Sequence, residues 1–142
     1  MGRKVRVIMN ILLDTQIAIW SMTNDKRLTD AAREIILNPR NMLFYSAASV
    51  IEVDWKIRSK KNNIEFTLDQ FIQKCQVSRF IPAPLKGEYI AAATHLVWDG
   101  EGEEHKDPFD RMLLAQAMVE GMKFMTADGK IPYFKQDCVI SV

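Results

Sequence analysis

Short runs of apolar residues alternate with longer segments of helical periodicity along most of this chain. The runs at 11–13, 42–45 and 123–126 have the length and composition of buried strands, and another short strand begins at Phe80. Residues 138–142 are expected to add a strand at an edge. Strands that alternate with helices are typical of α/β domains with parallel sheets. The sequence therefore predicts a parallel central sheet of four to five strands flanked by helices.

The predicted helices are bounded by residues that commonly cap helix ends. Pro108 is expected to be the first residue of the last helix, and Gly121 its left-handed stop. Another helix is expected from about Lys86 to Val97. Side chains that can accept a hydrogen bond from free backbone amides precede four helical patterns: Thr29, Ser46, Thr67 and Asp107.

Composition limits the protein class. The length of 142 residues suits a single domain over 1–142, and 48% hydrophobic residues are ordinary for a globular protein. Because Met9 offers a second start, residues 1–8 are open to interpretation as an N-terminal extension. The net charge of +1 excludes a strongly basic nucleic-acid coat and an acidic tail.

The expected location follows from two further features. No apolar run approaches the ~20 residues that a membrane-spanning helix needs. The two cysteines, Cys75 and Cys138, form no CxxC pair, which predicts free thiols in a reducing compartment. We therefore expect a cytoplasmic protein without membrane association.

Four acidic residues are expected to meet at one edge of the sheet. Asp14 follows the first strand and Asp128 nearly follows the fourth. Glu52 lies in the second turn of the helix after the second strand, and Asp110 in the first turn of the helix before the fourth. In an open parallel sheet these positions can converge on one crevice beyond the carboxyl ends of the strands.

Such a pocket would need a cation, because like charges about 4 Å apart repel by several kcal/mol in a poorly solvated site. Oxygen ligands without accompanying Cys or His favour Mg²⁺ or Mn²⁺ over zinc. The sequence therefore predicts a metal site in which the four acids are the catalytic and metal-binding residues.

Each acid alone also has a structural explanation. Asp14 can be the N-cap of the next helix, and Glu52 a solvated helix residue. Asp128 belongs to an Asp-Gly turn pair, and Asp110 suits the positive end of a helix. Asp107 competes with Asp110 for metal, but capping already accounts for Asp107. Only the joint placement of the four acids favours the metal site.

Three further residues are candidates for supporting roles. The Thr126 hydroxyl can orient a ligand or a water molecule, or it can be an ordinary strand residue. Arg111 and Lys56 are candidates for contacts with phosphate, although each can equally be a solvated charge or an ion-pair partner. The two histidines, His95 and His105, have no metal-binding spacing and are poor candidates for a general base.

Four segments of the chain contain the four acids in order. They are Ile-Leu-Leu-Asp-Thr-Gln at 11–16, Tyr-Ser-Ala-Ala-Ser-Val-Ile-Glu at 45–52, His-Lys-Asp-Pro-Phe-Asp-Arg-Met-Leu-Leu-Ala-Gln-Ala at 105–117 and Met-Thr-Ala-Asp at 125–128. Together these segments resemble PIN-domain proteins, most closely the toxins of the VapC type. The resemblance runs over roughly residues 11–135, with Lys106 in place of the more usual Arg.

The resemblance implies a PIN-like fold and cleavage of RNA phosphodiester bonds by a Mg²⁺- or Mn²⁺-dependent endoribonuclease. It also implies a small cognate antitoxin as partner, and a homodimer. Position by position, Asp14, Glu52, Asp110 and Asp128 match the acidic quartet of the family, and Asp14 and Asp110 match its principal metal ligands. The RNA, its cleavage motif, the number of metals and the identity of the antitoxin stay open.

The sequence also allows two alternatives to the nuclease. A phosphohydrolase that works through an aspartyl intermediate would need a DxD-type pair after the first strand, and Asp14-Thr15-Gln16 lacks it. A catalytically silent PIN-like module that binds RNA or protein should have lost at least one acid, and all four are present.

Overall fold

The computed structural model describes residues 9–60 and 63–142. Its five strands form one parallel sheet in the order β3-β2-β1-β4-β5, so β1 is central and β3 and β5 are the edges. The strands are β1 (Asn10–Leu13), β2 (Met42–Ser46), β3 (Ile81–Ala83), β4 (Lys123–Thr126) and β5 (Val139–Ser141). The predicted parallel sheet is confirmed. Residues 1–8, where an N-terminal extension was expected, lie outside the described residues.

Helices cover both faces of the sheet. The α-helices are α1 (Thr15–Thr23), α2 (Asp30–Leu37), α3 (Ala47–Ser59), α4 (Leu68–Val77), α5 (Gly87–Ala93) and α6 (Pro108–Glu120). The predicted N-caps form: Thr29, Ser46, Thr67 and Asp107 each accept hydrogen bonds from backbone amides of the first turn. Gly121 ends α6 with φ of 68°, the left-handed stop that the sequence predicts.

Two elements differ from the prediction. Helix α5 ends at Ala93 instead of Val97, and tight i to i−3 hydrogen bonds follow it at His95 and Leu96. The guanidinium of Arg111 also bonds the Ala93 carbonyl at 3.1 Å, which anchors the end of this helix to α6. A short 3₁₀ helix at Ile131–Phe134 was not predicted, because four residues carry no measurable helical periodicity.

The central strand is buried on both faces, as is usual for parallel sheets. Ile11 and Leu13 pack into the core beneath α1 to α4, while Leu12 points to the opposite core beneath α5 and α6. All three side chains are fully buried. Both cysteines are free, with Cys75 buried in the first core. Within the described residues, no helix combines the length and apolar character that crossing a bilayer requires.

The central position of β1 determines where a cleft can form. Leu13 pairs with Met125 of β4, and the Asp14 amide continues this ladder by donating to the Met125 carbonyl at 2.9 Å. The chain leaving β1 therefore starts α1 beside the end of β4, while β2 lies on the other side of β1. This is the point in an open sheet where the connections diverge and ligands commonly bind.

Gln116 ties α6 to the edge half of the sheet. Its Oε1 accepts from the Ser46 hydroxyl at 2.6 Å, and its Nε2 donates to the Pro84 carbonyl at 3.0 Å. Ser46 ends β2 and Pro84 directly follows β3, so one fully buried amide fixes α6 against two strands. The position of Asp110 on α6 depends on this link.

We expect Gln116→Met to lower the free energy of unfolding by about 1–3 kcal/mol, because the buried Ser46 hydroxyl loses its acceptor and the Pro84 carbonyl its donor. Urea unfolding measures the change. Gln76→Met, an exposed substitution on α4, is the matched control and should cost less than about 0.5 kcal/mol. Equal losses for the two variants would contradict this role of Gln116.

Candidate metal centre

The structure brings the four predicted acids to one cleft. Asp14 follows β1, Glu52 lies on α3, Asp110 lies on α6, and Asp128 follows β4. The first three are 5%, 6% and 8% exposed, and Asp128 is half-buried. The cleft has a volume of about 330 Å³, which is room for a cation with several waters, since one water takes about 30 Å³.

Asp14 is held by the end of β4. The Thr126 hydroxyl donates to Asp14 Oδ2 at 2.7 Å and accepts from the Asp128 amide at 3.0 Å. Thr126 is fully buried, so its hydroxyl orients one acid and positions the backbone of the other. Asp14 occupies the N-cap position of α1, but its side chain makes no capping hydrogen bond. Capping therefore does not account for this carboxylate.

Glu52 has one oxygen paired and one without a partner. Its Oε2 lies 3.2 Å from the Nζ of Lys56, one turn along α3. Its Oε1 is buried and has no hydrogen-bond partner within residues 9–60 and 63–142. An unsatisfied buried acceptor costs about 1–3 kcal/mol and more when it is charged. A solvated helix residue would not be placed this way.

The N-terminus of α6 assigns different tasks to its two aspartates. Asp107 Oδ1 accepts from the amides of Phe109 and Asp110, so Asp107 is the cap, although it also borders the cleft. Asp110, at the third helical position, directs its carboxylate into the cleft. The preference for Asp110 over Asp107 as the candidate ligand agrees with this geometry.

Asp128 combines a turn role with a site role. Its Oδ1 accepts from the Lys130 amide at 2.8 Å, which is the turn that the Asp-Gly pair suggests. Its Oδ2 faces the cleft, 3.4 Å from the Nε2 of His105. The two interpretations of this residue are therefore compatible.

His105 lies beside the acids of the cleft, a place that its lack of metal-binding spacing to His95 did not predict. Its Nε2 lies 2.7 Å from Asp110 Oδ2, and its side chain is only 13% exposed. His105 stands two residues before the N-cap of α6, where a chain folding back over the first turn reaches the third helical position. The five-residue spacing between His105 and Asp110 was the sequence signal that could have placed His105 at the site. The spacing between His105 and His95 carried no such information.

Arg111 is not available for the phosphate contact considered in the sequence. It donates to Glu104 Oε1 at 2.8 Å and to the carbonyls of His105 and Ala93 at 3.3 and 3.1 Å. Its guanidinium also lies 5.4 Å from the ring centre of Phe134. Arg111 therefore braces the segment before α6. Lys56 borders the cleft, where its Nζ pairs with Glu52 Oε2 at 3.2 Å, which is the ion-pair interpretation that the sequence left open.

Burial and mutual repulsion raise the pKa of two of the acids. For Asp14, loss of hydration is the largest cause, opposed by the hydrogen bond from Thr126 and reinforced by the charge of Glu52. For Asp110, loss of hydration again comes first, followed by the charges of Asp14 and Asp107. The cleft therefore resists the simultaneous ionisation of its carboxylates.

The residues of the cleft fit a divalent cation. Carboxylate oxygens are the ligands that Mg²⁺ and Mn²⁺ prefer, and a cation would supply the partner that Glu52 Oε1 lacks. It would also neutralise the charges that raise the two pKa values. Asp14, Glu52, Asp110 and Asp128 are the acids that would hold it.

We expect Asp14→Asn to stabilise the cation-free protein in a pH-dependent manner. A raised pKa means that the folded state binds the proton more tightly, so wild-type stability falls as pH rises above about 4 through the folded-state pKa. The variant carries no such charge. Its melting temperature in EDTA should equal that of wild type near pH 4 and exceed it by roughly 4 °C or more at pH 8. A lower melting temperature at every pH would indicate a purely structural Asp14.

Comparison with known proteins gives a consistent fold assignment. A chain of VapBC2 from Rickettsia felis bound to a promoter DNA fragment has a TM-score of 0.58 at 15% identity, covering 94% of this chain and 98% of that one. A chain of a toxin–antitoxin complex from Klebsiella pneumoniae has a TM-score of 0.59 at 19% identity, covering 92% and 96%. A chain of FitAcB from Neisseria gonorrhoeae has a TM-score of 0.57 at 14% identity, covering 92% and 96%.

At such identities the likeness to solved structures shows the fold alone. A search of curated proteins gives no match. The sequence profile of the PIN domain, however, matches residues 11–136, which is most of the chain and includes all four acids. The chain therefore belongs to the PIN domain family.

Proposed function

We propose that this protein is a metal-dependent endoribonuclease, the toxin of a type II toxin–antitoxin pair of the VapC kind. The observation that carries the proposal is the convergence of four carboxylates, from four different parts of the chain, on one cleft. One of their oxygens, Glu52 Oε1, is buried and has no partner in the described part of the chain. Membership of the PIN domain family supports the same conclusion.

In this proposal Asp14 and Asp110 are the principal ligands of Mg²⁺ or Mn²⁺, and Glu52 and Asp128 complete the site. The chemistry that a bound divalent cation supplies is neutralisation of phosphate charge and acidification of a water molecule. Thr126 keeps Asp14 in its orientation through the 2.7 Å hydrogen bond. Lys56, at the rim, is suited to contact a phosphate of the incoming strand.

The surroundings of the cleft support a single strand of nucleic acid as the substrate. Gln16 and Lys56 border both the acidic cleft and a second cleft that continues away from it. Arg27 and Phe66 line this second cleft, and the Arg27 guanidinium lies 5.1 Å from the centre of the Trp20 ring. Asp25 and Glu65 also line this cleft, and Arg27 pairs with Asp25 at 2.7 Å. The support for a single strand therefore comes from the aromatic groups beside the metal site, on which unpaired bases can stack.

A cognate antitoxin is part of the proposal. Two of the similar structures are described as toxin–antitoxin or VapBC assemblies. An acidic cleft with an unsatisfied carboxylate oxygen is complementary to a basic side chain, so an antitoxin that inserts one would compete with the cation. A homodimer and a cytoplasmic location remain predictions of the sequence.

The alternative is a catalytically silent PIN-like module that binds RNA or protein. It would have no reason to bury three carboxylates around one cleft, because their burial opposes folding when no cation is present. The two functions differ in one measurable product, the ends of cleaved RNA.

We expect brief expression of the wild-type chain in cells to generate new RNA ends at defined positions, and Asp110→Asn to generate none. Sequencing of RNA ends before and after expression makes the comparison. The variant removes one candidate ligand while keeping the size of the side chain. Identical end maps for the two proteins, or no new ends with wild type, would refute the nuclease.

We expect Glu52→Gln to reduce metal-dependent cleavage of RNA by at least about 100-fold, since even indirect support of a metal site is worth 10–100-fold. Asp54→Asn is the matched control on the same helix. Asp54 pairs with Arg58 at 3.0 Å outside the cleft, so this variant should cleave at nearly the wild-type rate. Cleavage time courses at saturating Mg²⁺ and Mn²⁺ give the rates, and equal rates for both variants would exclude Glu52 from the site.

A further inference from the structure

The His105 imidazole lies among the donor atoms of the acidic cleft. Its Nε2 is 2.7 Å from Asp110 Oδ2 and 3.4 Å from Asp128 Oδ2, and one donor atom from each of the three residues lies within 4.8 Å of the others. Adjacent ligands in an octahedron with bonds of about 2.1 Å are separated by about 3 Å. These separations allow the three residues to share one ion after small side-chain adjustments.

The position of His105 is fixed by contacts outside the cleft. Arg111 donates to its carbonyl at 3.3 Å, and the same guanidinium is anchored by Glu104 and by the carbonyl of Ala93. The Arg111 guanidinium also stacks on the ring of Phe134. These contacts hold the backbone of His105 beside the cleft, and the imidazole reaches Asp110 and Asp128 from there.

We propose that His105 is a nitrogen ligand of the divalent cation and that it makes the centre select Mn²⁺ over Mg²⁺. Imidazole nitrogen binds transition-metal ions well, whereas Mg²⁺ strongly prefers oxygen ligands and retains its waters. The inference rests on the metal centre of the proposed function, but not on RNA as the substrate. The competing explanation is that His105 only forms a hydrogen bond that orients Asp110.

Pulsed electron paramagnetic resonance of the Mn²⁺-loaded protein separates these explanations. A directly bound imidazole gives a ¹⁴N coupling to the manganese electrons, and an imidazole that only bonds Asp110 does not. The chain has two histidines, and His95 is exposed beyond the end of α5. We expect the coupling in wild type and in His95→Ala, and its loss in His105→Ala. Bound Mn²⁺ without imidazole coupling in wild type would overturn the inference. This result comes from the wild-type spectrum alone, so it does not depend on whether a variant folds.

Metal affinities give a second, independent measurement. Competition titrations of Mg²⁺ against Mn²⁺ should show that His105→Ala loses at least about 10-fold in Mn²⁺ affinity. Its Mg²⁺ affinity should change by less than about threefold, so that selectivity is lost. Equal losses for both ions, or no loss for either, would overturn the proposal.

Failure of this inference can be told apart from failure of the proposed function. If wild type binds no Mn²⁺, both the proposed metal centre and the proposed histidine ligand are refuted. If Mn²⁺ binds without imidazole coupling, only the histidine ligand is refuted. If imidazole coupling is present but no RNA is cut, the histidine ligand is supported and the nuclease is refuted.

Discussion

Repulsion among carboxylates that have been removed from water is the interaction on which the site depends. Asp14, Glu52 and Asp110 are each less than a tenth exposed, and loss of hydration is the main reason that the pKa values of Asp14 and Asp110 rise. Burying several carboxylates together lowers the stability of the folded state, so such a cluster persists only when the surrounding structure holds it in place. That structure is a parallel sheet in which Gln116 of α6 is bonded to Ser46 at the end of β2, and Thr126 at the end of β4 is bonded to Asp14.

The hydrogen bonds around the cleft satisfy each acid only in part. Thr126 binds one oxygen of Asp14, Lys56 pairs with one oxygen of Glu52, and the Lys130 amide binds one oxygen of Asp128. In each case the bond orients the carboxylate through one oxygen, while Asp128 Oδ2 lies beside His105 and Glu52 Oε1 has no partner among the described residues. Asp107 differs, because one of its oxygens serves two backbone amides as a cap. Carboxylates whose hydrogen bonds use only one oxygen are suited to bind a cation, whereas a capping carboxylate is already used by the backbone.

The sequence predicted the strands, the caps and the four acids because these depend on local signals. An acid that follows a buried strand stays at the end of that strand, and Thr67 caps α4 through contacts within one turn. The roles of His105 and Arg111 could not be assigned in this way. His105 lies in a loop at 98–106 that has no periodicity, and Arg111 contacts Ala93 and Phe134, which are distant in sequence.

The acids and the histidine are therefore held by different parts of the molecule. Regular elements fix the carboxylates, because Asp14 and Asp128 follow β1 and β4 while Glu52 lies on α3 and Asp110 on α6. The loop before α6 fixes His105, through Glu104 and Arg111. Under our proposal, changes in this loop alter which metal is preferred without removing the metal site, because no quartet acid lies in 98–106. Metal selectivity can then vary between proteins of this fold while the cleft and its repulsion stay the same.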